Sequence, residues 1–145
     1  MKPFTGVKIA LINNDKIIAI QRDDKPGLRF AGMWDVPGGG RDNDESPTET
    51  AQREVLEELG IILSSESFFY QKEHPAMVEK DSIAYFLAAK VTDEQVDGIV
   101  FGNEGQGWKL TTVSELVEDE KSVPFLRGRL EDFLNSPEGQ SISLL

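Results

Sequence analysis

Short apolar runs alternate with polar, turn-forming clusters along the chain, and the spacing within each run predicts its element. Val7 to Ile12 and Lys16 to Arg22 are Ile- and Ala-rich and flank Asn13-Asn14-Asp15, which predicts a β-hairpin. Lys25 to Met33 carries Pro26, Gly27 and Gly32 and reads as a loop; Trp34-Asp35-Val36 is then a short strand running into Pro37. The period changes at Ser46. Ser46-Pro47-Thr48-Glu49 is a capping box with Pro at the first helical position, and Gly60 suits the position just past a helix end. Between them Ala51, Val55, Leu56 and Leu59 form an apolar arc. Further on, Ser67 to Lys72 and Ile83 to Val91 predict strands joined by Glu73 to Lys80 as a hairpin connection. Val100 to Leu110 brings a loop with Glu104 and then a strand containing Trp108. A second capping box, Thr112-Val113-Ser114-Glu115, opens a short helix through Val117. Leu126, Leu130, Phe133 and Leu134 are the stripe of a closing helix that starts near Pro124. Residues from about 136 are expected to form a mobile tail, and the whole of 1–145 is expected to be one domain.

Composition narrows the function. The 145 residues include no Cys, so disulfides and thiolate metal sites are excluded; with no apolar run near 18 residues and no signal-like start, a cytoplasmic protein is expected. The net charge of −11 repels nucleic-acid phosphates and anionic membranes, so neither a nucleic-acid polymer nor a membrane is an expected partner. A small polyphosphate is still compatible, because bound cations reverse the local sign. His74 is the only histidine and makes neither a metal site nor a triad.

One helix contradicts local preference. Glu54 stands i,i+3 from Glu57 and i,i+4 from Glu58, which sets like charges against each other at about 0.2–0.5 kcal/mol per pair. All three also lie toward the C-terminal end, where the macrodipole disfavours anions. At about 100° per residue they fall within one narrow face. Local rules broken in this way mark a site, and a divalent cation is the natural compensation. Arg53, i,i+4 from both Glu49 and Glu57, is placed to pin acids. Gly38, Gly39 and Gly40 before the helix allow positive φ and close backbone approach to a ligand.

The stretch Gly39 to Ile61, GGRDNDESPTETAQREVLEELGI, resembles the Nudix box at every defined position, with Glu45, Arg53, Glu54, Glu57 and Glu58 in the polar slots and Val55 and Ile61 in the aliphatic ones. The resemblance implies a Nudix α/β/α sandwich, a mixed β-sheet between helices. It implies a hydrolase of a nucleoside diphosphate linked to another group, dependent on Mg²⁺ or Mn²⁺. Site residues follow by position: Glu54, Glu57, Glu58 and the Gly38 carbonyl as metal ligands, with Glu104 as a candidate fourth carboxylate. The general base is open among Glu57, Glu58 and Glu104, and Arg53 is expected to orient Glu57. Arg22, at the end of its strand, matches an Arg that contacts substrate phosphate in MutT-like members, a role its planar fork suits. Gly39 is expected at the substrate. Trp34 is expected in the core, whereas Phe30 is open between core packing and stacking on a base.

The box implies an enzyme because no carboxylate is missing. Its substrate is expected to be a nucleoside triphosphate, oxidised dGTP included, cleaved to a nucleoside monophosphate and pyrophosphate. ADP-ribose or a nucleotide sugar is the alternative, and a non-catalytic nucleotide-binding module is the reading from another class. A monomer or homodimer is expected.

Overall fold

The computed structural model describes residues 3–76 and 81–142. At its centre is strand β1, Phe4–Asn13, buried on both faces. It pairs antiparallel with β2, Lys16–Gln21, around the predicted Asn14 turn, where Asn14 takes a left-handed φ of 56°. On its other edge it runs parallel to β6, Ile83–Lys90, which pairs antiparallel with β5, Phe68–Pro75. Being covered on both sides, β1 needs the near-continuous apolar run that the sequence shows.

β1 and β2 pair only at Ile12–Asn13 and Lys16–Ile17 and then part. The gap is filled by two short strands: β3, Trp34–Asp35, on β2, and β4, Gly38–Gly40, on β1. Strand β7, Gly107–Thr112, takes the far edge of β2. This split places the glycine segment between two diverging strands. Gly38, Gly39 and Gly40 are strand residues and none has a positive φ; what they supply is closeness, since a Cβ on Gly38 would lie 2.2 Å from the Val7 carbonyl oxygen.

The sheet's pleat sends alternate residues to two cores. Val7, Ile9, Leu11, Ile18, Ile20, Leu87 and Ala89 pack under helix α1, Pro47–Leu59, through its Ala51, Val55 and Leu59. Ala10, Ile12, Ile17, Ala19, Phe86 and Ala88 face the helices α3, Val113–Glu118, and α4, Pro124–Asn135, through Leu116, Leu126, Leu130 and Phe133. The architecture is the expected mixed sheet between helices.

Several boundaries differ from the sequence reading. Leu56 is 49% exposed instead of completing the α1 stripe, because it lies about 100° beyond Val55 around the axis. β5 continues through Pro75, so the expected connection begins later, and residues 77–80 of it lie outside the described residues. A short helix α2, Asp93–Asp97, is capped by Thr92 and Gln95 in a capping box that the apolar pattern alone did not reveal. In place of a mobile tail from residue 136, Pro137–Ser141 forms helix α5, capped by Ser136 and folded onto α4 with Gly139 buried; there a Cβ on Gly139 would lie 2.1 Å from the Phe133 carbonyl oxygen. Among the described residues no helix is long and apolar enough to cross a membrane.

Candidate functional site

Helix α1 is fixed at both ends. At its start Ser46 and Glu49 form the reciprocal capping box, and at its end Gly60 turns left-handed with φ 69°. The loop after α2 then covers the last turn: the Val100 and Gly102 amides donate to the carbonyls of Leu59 and Glu58 at 3.0 and 2.8 Å. A Cβ at Gly102 would come within 2.7 Å of the Glu57 carbonyl oxygen, so this contact requires glycine. That loop brings Glu104 to the cleft beside α1.

Arg53 organises the acidic face. Its guanidinium donates to Glu45 at 2.9 and 3.1 Å, Glu54 at 2.9 Å, Glu57 at 3.3 Å and the Gly40 carbonyl at 2.7 Å. Glu49 is not among its partners, because that carboxylate accepts from the Ser46 amide in the cap. Glu45 also accepts from the Asp42 amide and the Thr50 hydroxyl, which ties the acidic loop to α1. The Arg53 hydrogen bonds hold the Glu45 carboxyl down at about 2, with help from the Asp42 amide, and the same partners keep Arg53 charged.

Glu58 is different. It accepts one hydrogen bond from the Gly38 amide at 3.0 Å, and burial pushes its carboxyl up to about 8 despite that bond and nearby Lys8. Burial also raises Glu54, partly offset by Arg53. Both are acids set where charge is disfavoured, which is the condition a bound cation relieves. Glu54 lies directly over Gly39, where a Cβ would come within 2.4 Å of its carboxyl carbon. The donors in reach are hard oxygens, which suit Mg²⁺ or Mn²⁺. Among the described residues the carboxylates are not gathered around one point: Glu54 and Glu57 rest on Arg53 while Glu58 turns to Gly38.

The cleft beside α1 has a volume of about 410 Å³, and its walls include Lys8, Arg22, Asp35, Gly38, Glu58 and Glu104. Asp35 is 3% exposed and bridges two cations, with Lys8 at 2.8 Å and Arg22 at 3.5 Å. A lining that mixes acids with cations suits a metal-bound polyphosphate. The NUDIX domain family model matches residues 2–133. The chain belongs to the NUDIX hydrolase family. An 8-oxo-dGTP diphosphatase of Haemophilus influenzae is 31% identical over 109 residues, 72% of this chain and 74% of that protein. An RNA pyrophosphohydrolase of Gluconobacter oxydans is 34% identical over 106 residues, 70% of this chain but 58% of that protein. The crystal structure of a MutT protein from Methanosarcina mazei matches with a TM-score of 0.71 at 25% identity, covering 91% of this chain and 94% of that one.

In this Nudix chain the structure brings together Arg53, Glu54 and Glu57, and it places Arg22, Gly38, Glu58 and Glu104 on one cleft. Phe30 is elsewhere. Its ring packs on Phe125 at 5.9 Å, partly buried against the core beneath α4, and does not line this cleft. Trp34 is half-buried against the same core, under the Lys109 ammonium. Lys8 and Asp35 are cleft residues that the sequence reading passed over. The signal was present as a lysine inside the apolar run Val7 to Ile12 and an acid closing a strand.

Proposed function

We propose that this Nudix hydrolase cleaves a nucleoside triphosphate to a nucleoside monophosphate and pyrophosphate, with Mg²⁺ or Mn²⁺ as cofactor. The observation that carries this is the half-buried Glu58 carboxylate at the Gly38 amide, in a cleft that Lys8 and Arg22 also line. Glu54, Glu57, Glu58 and the Gly38 carbonyl hold the metal, with Glu104 as a further carboxylate. The bound ion supplies neutralisation of the pyrophosphate charge and a more acidic water. Arg22 and Lys8 hold phosphate oxygens, with Asp35 fixing both side chains. One carboxylate among Glu57, Glu58 and Glu104 takes the proton of the attacking water. Arg53 presents Glu54 and Glu57 from behind without touching substrate. Gly39 leaves room for the Glu54 carboxylate and for the substrate chain.

A relative at 31% identity that is an 8-oxo-dGTP diphosphatase supports the nucleoside triphosphate class. The test is a panel with Mg²⁺: the canonical dNTPs, 8-oxo-dGTP, ADP-ribose and a 5′-triphosphorylated RNA. Release of pyrophosphate from one or more dNTPs is expected. Turnover of ADP-ribose alone, or of RNA alone, would replace the substrate class. Binding of nucleotides with no turnover would make this a non-catalytic module.

A further inference from the structure

The loop between β2 and β3 lines the catalytic cleft through Asp23, Lys25 and Leu28. Three of its residues take a left-handed φ: Gly27 at 81°, Phe30 at 58° and Gly32 at 72°. The two glycines serve tight turns. The Leu28 amide closes one on the Lys25 carbonyl and the Met33 amide the other on the Phe30 carbonyl, each at 3.2 Å. Phe30 is only the first residue of the second turn, a position that asks for no left-handed backbone. A bulky side chain is seldom found in that conformation.

The ring holds the conformation, and the Arg29 carbonyl shows what it achieves. The Phe30 ring is partly buried, with Phe125 of α4 at 5.9 Å and the Arg29 guanidinium 4.7 Å from its centre. Rotation about the N–Cα bond of Phe30 orients the planar peptide before it, so a fixed φ fixes where the Arg29 carbonyl points. It points at Arg22, whose Nε donates to it at 3.2 Å. On the same guanidinium, Nη1 lies 3.5 Å from the Asp35 carboxylate. Held at these two places, the planar fork has one orientation in the cleft, and Nη2 is left for phosphate oxygens. Core packing alone gives no reason for a left-handed backbone at Phe30, whereas aiming the Arg29 carbonyl does.

Resting on the reading in which Arg22 holds a substrate phosphate, we propose that Phe30 is a positioning residue for Arg22. It touches no substrate atom. Its ring, anchored on Phe125, keeps the loop in the conformation that offers the Arg29 carbonyl to Arg22 Nε, so that the guanidinium is set before the polyphosphate arrives. Phe30, which the sequence left open between core packing and stacking on a base, thus reaches the reaction through an arginine.

The test measures kcat and KM for the dNTPs with Mg²⁺ in the wild type, Phe30→Ala, Phe30→Tyr, Arg22→Met and the double variant Phe30→Ala/Arg22→Met. Phe30→Ala is expected to raise KM by about tenfold, the scale of one hydrogen bond to a charged group, with kcat held within about twofold. Phe30→Tyr keeps the ring and should keep the wild-type KM. In the Arg22→Met background, Phe30→Ala should change KM no further. The same rise in both backgrounds, or none in either, overturns the proposal, because a residue that only packs acts regardless of Arg22. Calorimetric titration with inorganic pyrophosphate and Mg²⁺ makes the same comparison without turnover and without a base. If no nucleoside triphosphate is cleaved but pyrophosphate affinity follows this pattern, the activity falls and the positioning role stands. A wild type that binds pyrophosphate no better than Arg22→Met sinks the role whatever the activity. Should Phe30→Ala not fold, Phe30→Leu replaces it under the same criteria.

Discussion

Glu58 and Gly38 are joined across the split in the sheet: the Gly38 amide donates to the Glu58 carboxylate at 3.0 Å. The bond anchors the acidic face of α1 to the short strand that fills the gap between β1 and β2. It leaves the half-buried Glu58 carboxyl with that one donor among the described residues, and burial pushes it up to about 8.

That elevation sets a pH dependence of stability. The folded protein holds a proton on Glu58 in the range between the ordinary value of 4.5 and about 8, where the unfolded chain has released it. Bound protons then exceed those of the unfolded state, so this group's contribution falls as pH rises through that window. Urea denaturation without metal from pH 5 to 9 should show this decline, and Glu58→Gln should flatten it. An unchanged slope in the variant would remove Glu58 as the cause. Glu45 acts oppositely: held at about 2 by Arg53, it contributes above 4.5 and is lost as pH falls toward 2.

Metal binding should show in the same measurement. Mg²⁺ at 100 times its dissociation constant stabilises the fold by about 2.7 kcal/mol. The gain should be larger at pH 6.5–8 in the wild type than in Glu58→Gln. A melting temperature indifferent to Mg²⁺ and Mn²⁺ would speak against the proposed ligand set.

Glu57→Gln separates chemistry from folding. The Glu57 carboxylate is 58% exposed and pairs among the described residues with Arg53 at 3.3 Å, so the structural effect should stay within about 0.5 kcal/mol. As a metal ligand or general base it should instead lower kcat by about 10²-fold or more. Full activity in the variant would strip Glu57 of either role.

The adjacent glycines should fail differently. A Cβ at Gly38 meets the Val7 carbonyl oxygen at 2.2 Å, which is backbone and cannot yield, so Gly38→Ala should lower the melting temperature. At Gly39 the obstacle is the Glu54 carboxyl at 2.4 Å, the end of a flexible side chain. Gly39→Ala should therefore fold with a nearly unchanged melting temperature while activity and Mg²⁺ affinity drop. Equal loss of stability in both would show that the Glu54 position is not what Gly39 protects.

The site was legible in the chain wherever one local rule broke another. Three acids on one face near a helix C-terminus, between a capping box and Gly60, located α1 and its chemistry before any fold was known, because both periodicity and capping act over a few residues. The same reasoning missed Asp35 and Lys8, whose meaning comes from a 2.8 Å contact between strands 27 residues apart. It left Phe30 open between two roles, since its contact with Phe125 of α4 joins segments far apart in the chain.

By itself, then, the sequence determined the carboxylate helix, the hairpin and the family, since each is encoded by neighbours along the chain. Tertiary structure alone decided that β1 and β2 part to admit Gly38–Gly40, that the loop after α2 carries Glu104 to the cleft, and that Lys8 and Arg22 meet at Asp35. Those outcomes depend on pairings between distant segments, where burial and register, not local spacing, set what each side chain meets.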